Sequence, residues 1–510
     1  METGDLLWVF LLSTCLVILL YAPGIKTGIN LADEGYLWHG AIQVLEGAVP
    51  IRDFRAYDPG RYYWCAMWMR FLGRNLVSVR IAMIVTQIIA LTLGVSAVSM
   101  ATGRWAPTLL AGLALVAWML PRYKQIDILF PMTAAFISVF LVNTPTPAHY
   151  FLSGAFVGIC LVFGLNHALY VGGGLSLLIG IMVFRGHGLE LSASLIWYTF
   201  GLSIGALPAL AVIIGVAGLL QDYWKQKILK ILKRRTTNLP LPIPWLWRPM
   251  PLHLKHLERC AGQVVRAGFT VMPIFYGCIL LLAVLKLEPM SPQEWTCVAV
   301  SCVGVFYMHH AMSRADITHL AQASPPLIIG LVIYLSAQAY GWAMIVGFIA
   351  VSLWFIYRPQ ERFVRTMGST DKLNTFEVEG NALRLSGAMV EYLSEVRDLV
   401  NAYSKAGEPV LFLPKLATLY PLLARRPAVY DIFCVYPATD EEQTTMISQL
   451  IAESPPLALI VNHAIDSRDE LRFSNTHPKV WEYLNREFTK LDISGRLPDD
   501  HHVFIRPPSN

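Results

Sequence analysis

Charged residues are scarce in this chain. Only 15% of its 510 residues are charged, whereas 55% are hydrophobic. A soluble protein of this size does not need so much apolar surface, so the composition excludes a wholly soluble chain. The apolar residues form long blocks, which favours helices over a β-barrel. The sequence therefore predicts a multi-pass α-helical membrane protein.

Several familiar signals are absent. Of the eight cysteines, seven lie in or near apolar blocks and Cys434 stands alone in the polar C-terminal part, a pattern that predicts neither a disulfide framework nor a zinc site. The C-terminal part has no Gly-rich phosphate loop, and no internal repeat is found. The sequence predicts no cofactor, although a divalent metal is possible but not favoured. It also predicts no nucleic-acid partner. The first apolar segment, Leu6 to Tyr21, lacks a basic leader and a clear cleavage site, which predicts a retained anchor.

About eleven segments are long and apolar enough to cross a bilayer, taking roughly 17–25 residues per span. The block 150–184 is ambiguous, since it fits two short helices joined at Asn166–His167 or one long helix. The predicted segments are 6–22, 77–99, 105–120, 128–143, 150–165, 169–184, 192–219, 265–286, 294–310, 320–338 and 340–357.

A polar stretch after the first span, Leu31 to Trp64, is too polar to cross a bilayer. Its helical spacing places apolar residues on one face and polar residues on the other, and Gly47 with Pro50 ends the pattern. We predict an amphipathic helix on the membrane surface that begins at Asp33 and Glu34, followed by a second surface helix over Tyr62 to Leu72. The apolar face is Trp38, Ala41, Ile42 and Leu45, and the polar face is His39, Gln43 and Glu46.

A second interruption, residues 221–263, is strongly basic. Between Lys225 and Arg266 there are ten Lys or Arg residues and one acid, Glu258. Trp224, Ile228, Ile231 and Leu232 form an apolar stripe among the lysines, which predicts a basic interfacial helix over Lys225 to Arg235. Its simplest role is to anchor lipid headgroups, and gathering an anionic lipid donor is the sharper alternative.

The composition changes after Tyr357, and residues 362–510 predict a small soluble α/β domain. The predicted strands are Pro409 to Leu413, Ala428 to Cys434, Leu457 to Val461 and Val503 to Arg506. The predicted helices are Leu383 to Tyr403, Asp440 to Ala452 and Pro478 to Leu491.

The stretch from Asp33 to Trp64 resembles the first outer loop of GT-C-fold glycosyltransferases. It is most similar to the bacterial branch related to protein O-mannosyltransferases and lipid A aminoarabinose transferases. The matching elements are the acidic pair Asp33–Glu34, the segment Gly47 to Asp53, the turn Pro59–Gly60, and the aromatic run Tyr62 to Trp64.

The layout of the whole chain resembles this family too. Asp127, in QIDILFP, stands where the family has an Asp at the outer start of the fourth span. The resemblance implies a GT-C-like transmembrane domain over 1–361, with outer loops at 31–75 and 221–263, and an outer α/β domain over 362–510. Its motifs cover about a tenth of the chain. The aminoarabinose transferases have Lys-Pro-Pro where this chain has Asp58-Pro59-Gly60-Arg61, which leaves the donor details open.

The resemblance implies transfer of a sugar from a polyprenyl-phosphate donor to a glycan, lipid or protein acceptor, with membrane lipids as surroundings. It implies catalytic roles for Asp33, as general base, and Asp127. Arg61 replaces the family's lysine as a phosphate ligand, and Arg314 and His319 are further candidates for binding the donor phosphate. Glu34 and Asp316 are expected to be supporting residues.

Each of these residues also has a plainer interpretation. Asp33 and Asp127 fit the N-caps of their helices, and Asp127 also fits a surface ion pair with Arg122 or Lys124. Arg314 and Asp316 fit a simple pair with each other. His309, His310 and His319 suggest a metal site, but no carboxylate or cysteine completes a recognisable ligand set.

Parity predicts that Asp33, Asp127, the basic loop, Arg314 and the C-terminal domain share one side of the membrane. That side is expected to be the periplasmic side of a bacterial inner membrane, although the basic outer loop conflicts with the positive-inside rule. There are two alternatives to an enzyme. One is a transporter or lipid flippase, and the other is a non-catalytic scaffold for envelope assembly. A transporter would show paired half-repeats and charges within its spans.

Overall fold

The computed structural model describes residues 3–234, 238–249, 256–356, 373–378 and 381–507. The chain forms two compact units. The helical unit comprises Met1–Pro23 and Ile81–Arg365, and the mixed unit comprises Gly24–Arg80 and Thr366–Asn510. The predicted outer loop 31–75 thus belongs to the same compact unit as the C-terminal α/β fold. The predicted domain boundary at 361–362 lies outside the described residues.

The helices up to residue 356 follow the apolar blocks and the two predicted surface helices. In chain order they are α1 (Thr3–Tyr21), α2 (Asp33–Leu45), α3 (Gly60–Leu72), α4 (Leu76–Thr102), α5 (Trp105–Ala117), α6 (Gln125–Asn143), α7 (Pro147–Phe163), α8 (Leu165–Phe184), α9 (Leu191–Gly215), α10 (Leu219–Tyr223), α11 (Lys230–Arg234), α12 (His256–Leu285), α13 (Pro292–Ser313), α14 (Ile317–Ala323), α15 (Pro325–Ser336) and α16 (Gly341–Ile356).

Among the described residues, seven helices are long and apolar enough to cross a membrane. The pair α14 and α15 is bent by 58° and makes an eighth if it is counted as one span. Each of the eleven predicted segments contains a helix. However, α5, α7 and the described part of α16 are shorter apolar helices of 10–17 residues, so the count of eleven spans is not established. The chain is a multi-pass membrane protein whose described part contains seven or eight full-length candidate spans.

The ambiguous block 150–184 forms two helices. Helix α7 ends at Phe163 and α8 begins at Leu165, with Gly164 between them. This separation is the arrangement that the predicted parity requires.

Helices α7 and α9 pack through glycines at four-residue spacing. A Cβ on Gly154 of α7 would lie 1.9 Å from the carbonyl oxygen of Tyr198, and a Cβ on Gly158 would lie 2.4 Å from the amide nitrogen of Ala206. On α9, a Cβ on Gly205 would lie 2.0 Å from the carbonyl oxygen of Ala155. In a membrane such small residues let two backbones approach closely, and van der Waals contact then holds the helices together.

We expect Gly158→Leu to separate α7 from α9 and to destabilise the protein. The added side chain meets main-chain atoms that cannot rotate away, and overpacking of this kind costs about 1–3 kcal/mol or more. The thermal midpoint of the purified protein in detergent measures the loss. Gly180→Leu on α8 is the matched control, because a Cβ there meets nothing within 4 Å. Equal midpoints for the two variants would contradict this account of the packing.

The predicted basic interfacial helix is confirmed as helical over its described residues. The chain is helical through α10, a π-helical segment Trp224–Leu229 and α11. Trp224, Ile231 and Leu232 are exposed, as expected for the apolar face of an interfacial helix. The predicted end at Arg235 lies outside the described residues.

The C-terminal fold of the mixed unit is a five-stranded sheet with short helices, beside a two-stranded hairpin. The strands are β1 (Leu373–Val378), β2 (Asn381–Ser386), β3 (Pro409–Leu413), β4 (Arg426–Pro427), β5 (Leu457–Val461), β6 (Thr489–Leu491) and β7 (His501–Ile505). The helices are α17 (Gly387–Tyr403), α18 (Leu419–Leu422), α19 (Asp440–Glu453), α20 (Phe473–Thr476) and α21 (Pro478–Glu487).

The sheet order is β4-β3-β5-β7-β6. Strand β3 is parallel to β4 and β5, whereas β7 is antiparallel to β5 and β6. Strands β3 and β5 are apolar and buried inside the sheet, which explains why the sequence predicts both of them with the correct bounds.

Three predicted elements of this fold are wrong in whole or in part. Ala428 to Cys434 is not a strand, because its amides find other partners: Phe433 N–H donates to the Asp431 side chain and Cys434 N–H to the carbonyl of Pro414. The helix predicted from Leu383 begins only at Gly387, because β2 pairs with β1 and Arg384 exchanges main-chain hydrogen bonds with Lys26 and Gly28. The predicted helix from Pro478 also ends early, at Glu487, and β6 follows it.

Candidate functional site

Asp33 opens α2, but its carboxylate does not cap the helix. Asn30 Oδ1 accepts hydrogen bonds from the amides of Ala32 at 3.0 Å and Asp33 at 2.8 Å. Asn30 therefore supplies the side-chain acceptor that usually satisfies the first amides of a helix. The Asp33 side chain is half-buried and accepts a hydrogen bond from the Tyr57 hydroxyl at 3.3 Å.

Arg61 lies near Asp33 through the same tyrosine. It is buried on the first turn of α3, and its guanidinium carbon lies 5.5 Å from the centre of the Tyr57 ring. A cation over an aromatic face is attracted by the ring quadrupole. Two predicted site residues thus contact Tyr57, one at its hydroxyl and one at its ring. The sequence analysis did not identify Tyr57 as a site residue.

Glu34 is locked into a buried ion pair. Arg80 Nε and Nη2 donate to its two carboxylate oxygens, each at 2.8 Å, and the side chains are 1% and 3% exposed. Arg80 also donates to the carbonyls of Ile25 and Gly28, both at 2.7 Å. The pair therefore ties α2 to the segment before it and to the start of α4.

The polar face predicted for α2 is buried only at His39, whereas Gln43 is partly buried and Glu46 is exposed. All residues from Glu34 to Ala41 are buried, including His39, whose ring packs on Tyr420 with 5.4 Å between ring centres. Burial lowers the pKa of His39 to about 4, so the imidazole is neutral at physiological pH. The helix is confirmed, but from Glu34 to Ala41 it packs inside the mixed unit, so the predicted exposure of the polar face fails at His39.

The C-terminal fold also holds the chain after α2. Arg55 forms an ion pair with Asp431 and donates to the carbonyl of Phe433 at 2.8 Å. Burial disfavours the charged form of Arg55, but the adjacent Asp431 outweighs it and raises the pKa of the guanidinium. Tyr36 of α2 packs on the Phe433 ring at 5.1 Å.

The helical unit contains a group of polar side chains that we call the histidine cluster: Asp127, His167, His310, Asp316 and His319. Asp127 Oδ1 lies 3.0 Å from His167 Nε2, and His167 Nδ1 lies 3.1 Å from the Tyr307 hydroxyl. When Asp127 is ionised, Nε2 donates to it and Nδ1 accepts from the tyrosine. Asp127 thus makes a long-range contact in addition to its place in the first turn of α6.

The cluster continues through ring contacts to α14. The ring centres of His167 and His310 are 6.4 Å apart, and those of His310 and His319 are 5.3 Å apart. His310 Nε2 also lies 2.7 Å from Gln322 Oε1.

Asp316 and Arg314 pair with each other. Arg314 Nε lies 2.8 Å from Asp316 Oδ2, and Asp316 Oδ1 accepts from the main chain and lies 2.8 Å from the ring of His319. Burial opposes ionisation of Asp316, but the bonds from His319 and the nearby Arg314 outweigh it, so the pKa of Asp316 is lowered. Arg314 also donates to the carbonyl of Leu239 at 3.0 Å.

These contacts bring specific helix ends together. Asp127 and His167 lie at the starts of α6 and α8, and His310 lies near the end of α13. Since α6 and α8 start at the same end of the helical unit, α7 must return the chain along its length. The 17 residues of α7 span about 26 Å at 1.5 Å per residue, close to the thickness of a bilayer core.

The predicted site residues therefore fall into two groups. Asp33, Glu34 and Arg61 belong to the mixed unit, and Asp127, Arg314, Asp316 and His319 belong to the helical unit. Sequence analysis did not assign His167 to the site, although an ionisable residue inside an apolar block is a signal of function. Within the described residues, no group of three His, Cys, Asp or Glu side chains has an arrangement suited to holding a metal ion.

No protein-family model matches the sequence, and no curated protein matches it. Two crystal structures of ArnT from Cupriavidus metallidurans are similar to this chain. ArnT bound to undecaprenyl phosphate aligns over 100% of this chain and 99% of its own, with a TM-score of 0.55 and 12% identity. ArnT in the apo state aligns over 98% of each chain, with a TM-score of 0.50 and 11% identity.

At these identities the likeness concerns the fold. ArnT is a lipid A aminoarabinose transferase of the GT-C fold, the group that Asp33 to Trp64 resembles. The similarity extends over both units and the whole length of the chain. This chain therefore has the ArnT-like GT-C fold, as its sequence resemblance predicted.

Proposed function

We propose that this protein is a membrane glycosyltransferase that moves a sugar from a polyprenyl-phosphate donor to an envelope glycan, lipid or protein. The observation that carries the proposal is the full-length similarity to ArnT, one of whose structures contains undecaprenyl phosphate. The placement of Asp33 supports it, because its half-buried carboxylate lies at the first turn of α2 and accepts a hydrogen bond from Tyr57, whose ring contacts Arg61.

The proposed chemistry is one direct displacement. The Asp33 carboxylate takes the proton of an acceptor hydroxyl as that oxygen bonds to the anomeric carbon. The bond between the anomeric carbon and the phosphate oxygen breaks, and its electron pair leaves with the polyprenyl phosphate. Attack opposite the leaving group inverts the anomeric centre.

Cationic side chains stabilise the negative charge that develops on the leaving phosphate. Arg61, Arg314 and His319 are the proposed donor-phosphate ligands, and Asp127 is a second proposed catalytic carboxylate. Arg314 suits this role because Asp316 and the Leu239 carbonyl hold its guanidinium in one place. An arginine fork can bind phosphate through two parallel hydrogen bonds.

We expect Arg61→Ala and Arg314→Ala to weaken binding of undecaprenyl phosphate by about 10- to 100-fold each, since a hydrogen bond to a charged group is worth about 1.5–3 kcal/mol. Binding of the lipid phosphate to the purified protein measures the effect. Arg70→Ala is the matched control, because Arg70 lies exposed on the same helix as Arg61. If both variants bind as tightly as the Arg70 control, the phosphate site lies elsewhere, with the basic segment α10–α11 as the next candidate.

A transporter is the rival function, and one observation favours it. Asp127 and His167 are buried ionisable residues within candidate spans, a feature of ion and substrate pathways. Against it, both residues lie at helix ends rather than at the middle of the spans. A non-catalytic scaffold is the third alternative, and it predicts neither transfer nor translocation.

Proteoliposomes separate the three functions. The experiment supplies radiolabelled polyprenyl-phosphate sugars, beginning with the aminoarabinose and mannose derivatives, together with envelope lipid and glycan extracts. A glycosyltransferase releases polyprenyl phosphate and moves the label into an acceptor. A transporter moves the intact donor across the bilayer, and a scaffold does neither.

For location, we propose a bacterial inner membrane, with the reaction on its periplasmic face. The helices that are long and apolar enough to cross a bilayer, and the ArnT-like fold, support an integral membrane protein. Parity predicts that the polar segments share one side, and the resemblance to the family implies that this side is periplasmic. Both are tested at the end of the Discussion.

A further inference from the structure

The loop after β3 contacts the first turn of α2. The Thr418 hydroxyl donates to the carbonyl of Asn30 at 2.7 Å, and the Thr418 amide donates to the carbonyl of Leu31 at 3.0 Å. Thr418 is fully buried. A Cβ on Gly35 would lie 1.9 Å from the Thr418 hydroxyl oxygen and 2.2 Å from its nitrogen, so glycine is needed at this contact.

Asn30 links this contact to Asp33. Its main-chain carbonyl accepts from Thr418, while its side-chain oxygen accepts from the amide of Asp33 at 2.8 Å. Two successive hydrogen bonds therefore link Thr418, in the loop after β3, to the backbone of Asp33 through Asn30. They meet α2 at its first turn, where a small shift of the backbone moves the carboxylate.

A second set of bonds holds the other side of the carboxylate. Arg55 N–H donates to the carbonyl of Tyr430 at 3.1 Å, and the Arg55 side chain contacts Asp431 and Phe433. Two residues later, the Tyr57 hydroxyl donates to Asp33. The C-terminal fold thus fixes both the backbone that carries Asp33 and the segment that carries its hydrogen-bond donor.

We propose that Thr418 is a positioning residue for Asp33, and that the C-terminal fold is thereby part of the framework of the reaction. This inference rests on the proposed function. A general base works only within hydrogen-bond reach of the proton that it takes, and a misplacement of about 1 Å can cost 10²-fold in rate. Thr418 does not touch substrate in this account; it acts through Asn30.

Thr418→Val tests the proposal with almost no change of side-chain shape. It removes the hydroxyl that donates to the carbonyl of Asn30. Thr418→Ser is the matched control, because it keeps the donor. The full-length proteins are compared in proteoliposomes with whichever radiolabelled polyprenyl-phosphate sugar the wild-type protein consumes. Two further readouts are hydrogen–deuterium exchange of residues 31–36 and the thermal midpoint.

We expect Thr418→Val to lower kcat about 10- to 100-fold, with KM for the donor within about twofold of wild type. The amides of residues 31–36 should exchange faster, whereas those of β3 and β5 should not change. Thr418→Ser should restore both the rate and the exchange. A purely structural role would instead lower the thermal midpoint and speed exchange in the sheet as well.

The outcomes distinguish this inference from the proposed function. If Asp33→Asn is inactive and Thr418→Val keeps the wild-type kcat, the positioning role is overturned and the function stands. If Asp33→Asn keeps its activity, the general-base role of Asp33 is overturned, and the positioning role of Thr418 falls with it. If the wild-type protein transfers no sugar, the proposed function itself is overturned. If Thr418→Val does not fold, Asn30→Ala and Asn30→Ser test the other end of the same chain of bonds. The serine keeps a capping oxygen, so equal loss of kcat in both would overturn the inference.

Discussion

Asp33→Asn is expected to abolish sugar transfer, with a loss of about 10²–10⁴ in rate, the usual cost of removing a general base. The amide has the shape of the carboxylate but cannot take a proton from the acceptor. The fold should persist, because the main-chain amide of Asp33 donates to Asn30 and the Tyr57 hydroxyl can donate to an amide oxygen. Release of polyprenyl phosphate from a radiolabelled donor measures the rate.

Asp53→Asn is the matched control for this loss. Asp53 is an exposed carboxylate in the same unit and is paired with Arg52 at 2.8 Å. Asp53→Asn should transfer sugar at a rate near that of the wild-type protein. Asp33→Asn should bind undecaprenyl phosphate about as tightly as the wild-type protein does. Near-normal turnover in Asp33→Asn would show that Asp33 is not the general base and would contradict the proposed mechanism.

Glu34→Gln is expected to destabilise the protein by about 3–5 kcal/mol, because it leaves the buried Arg80 without its counter-charge. Arg80 is 3% exposed and cannot recover hydration without opening the start of α4. The effect should appear as a large fall in the thermal midpoint of the purified protein. It should also speed deuterium exchange at the start of α2, since Glu34 lies next to Asp33.

A surface pair provides the comparison. Arg74 and Glu46 form an ion pair at 3.3 Å, but their side chains are 57% and 50% exposed. Exposed pairs contribute about 0–1 kcal/mol, so Glu46→Gln should change the midpoint little. Equal effects of Glu34→Gln and Glu46→Gln would show that the buried pair does not secure the start of α2.

Local patterns in the sequence were sufficient to predict many elements. The surface helices α2 and α3 follow from apolar spacing and from Gly and Pro at their ends. Strands β3 and β5 follow from short apolar runs, which are buried at the centre of the sheet. These features depend on residues close together in the chain, so the sequence alone contains the signal.

Long-range contacts explain what the sequence did not predict. His39 is buried against Tyr420, and Arg384 of β2 bonds to the main chain of Lys26 and Gly28, all far away in the chain. The contact between Asp127 and His167 joins two helices separated by a third. Periodicity cannot reveal such contacts, because it reports only which face of an element is apolar.

The central claim is that Asp33 and the donor-binding residues act on one side of the membrane. Helices α4 to α9 separate Asp33 from the basic segment, and the predicted parity needs both short helices among them, α5 and α7, to cross. The return of α7 to the end of the unit where α6 begins supports crossing by α7. Failure of α5 alone to cross would place the basic segment opposite Asp33.

Single cysteines at Glu46, Pro240 and Glu470, all exposed positions, test this arrangement in a variant whose eight native cysteines are replaced. Glu46 and Glu470 belong to one compact unit, so Pro240 is the deciding position. We expect a membrane-impermeant thiol reagent to label all three in intact cells. Labelling of all three only after permeabilisation would mean that the protein has the opposite orientation in the membrane, with the three positions still on one side. Labelling at Glu46 and Glu470 without labelling at Pro240 would contradict the shared side of the membrane on which the enzymatic account depends.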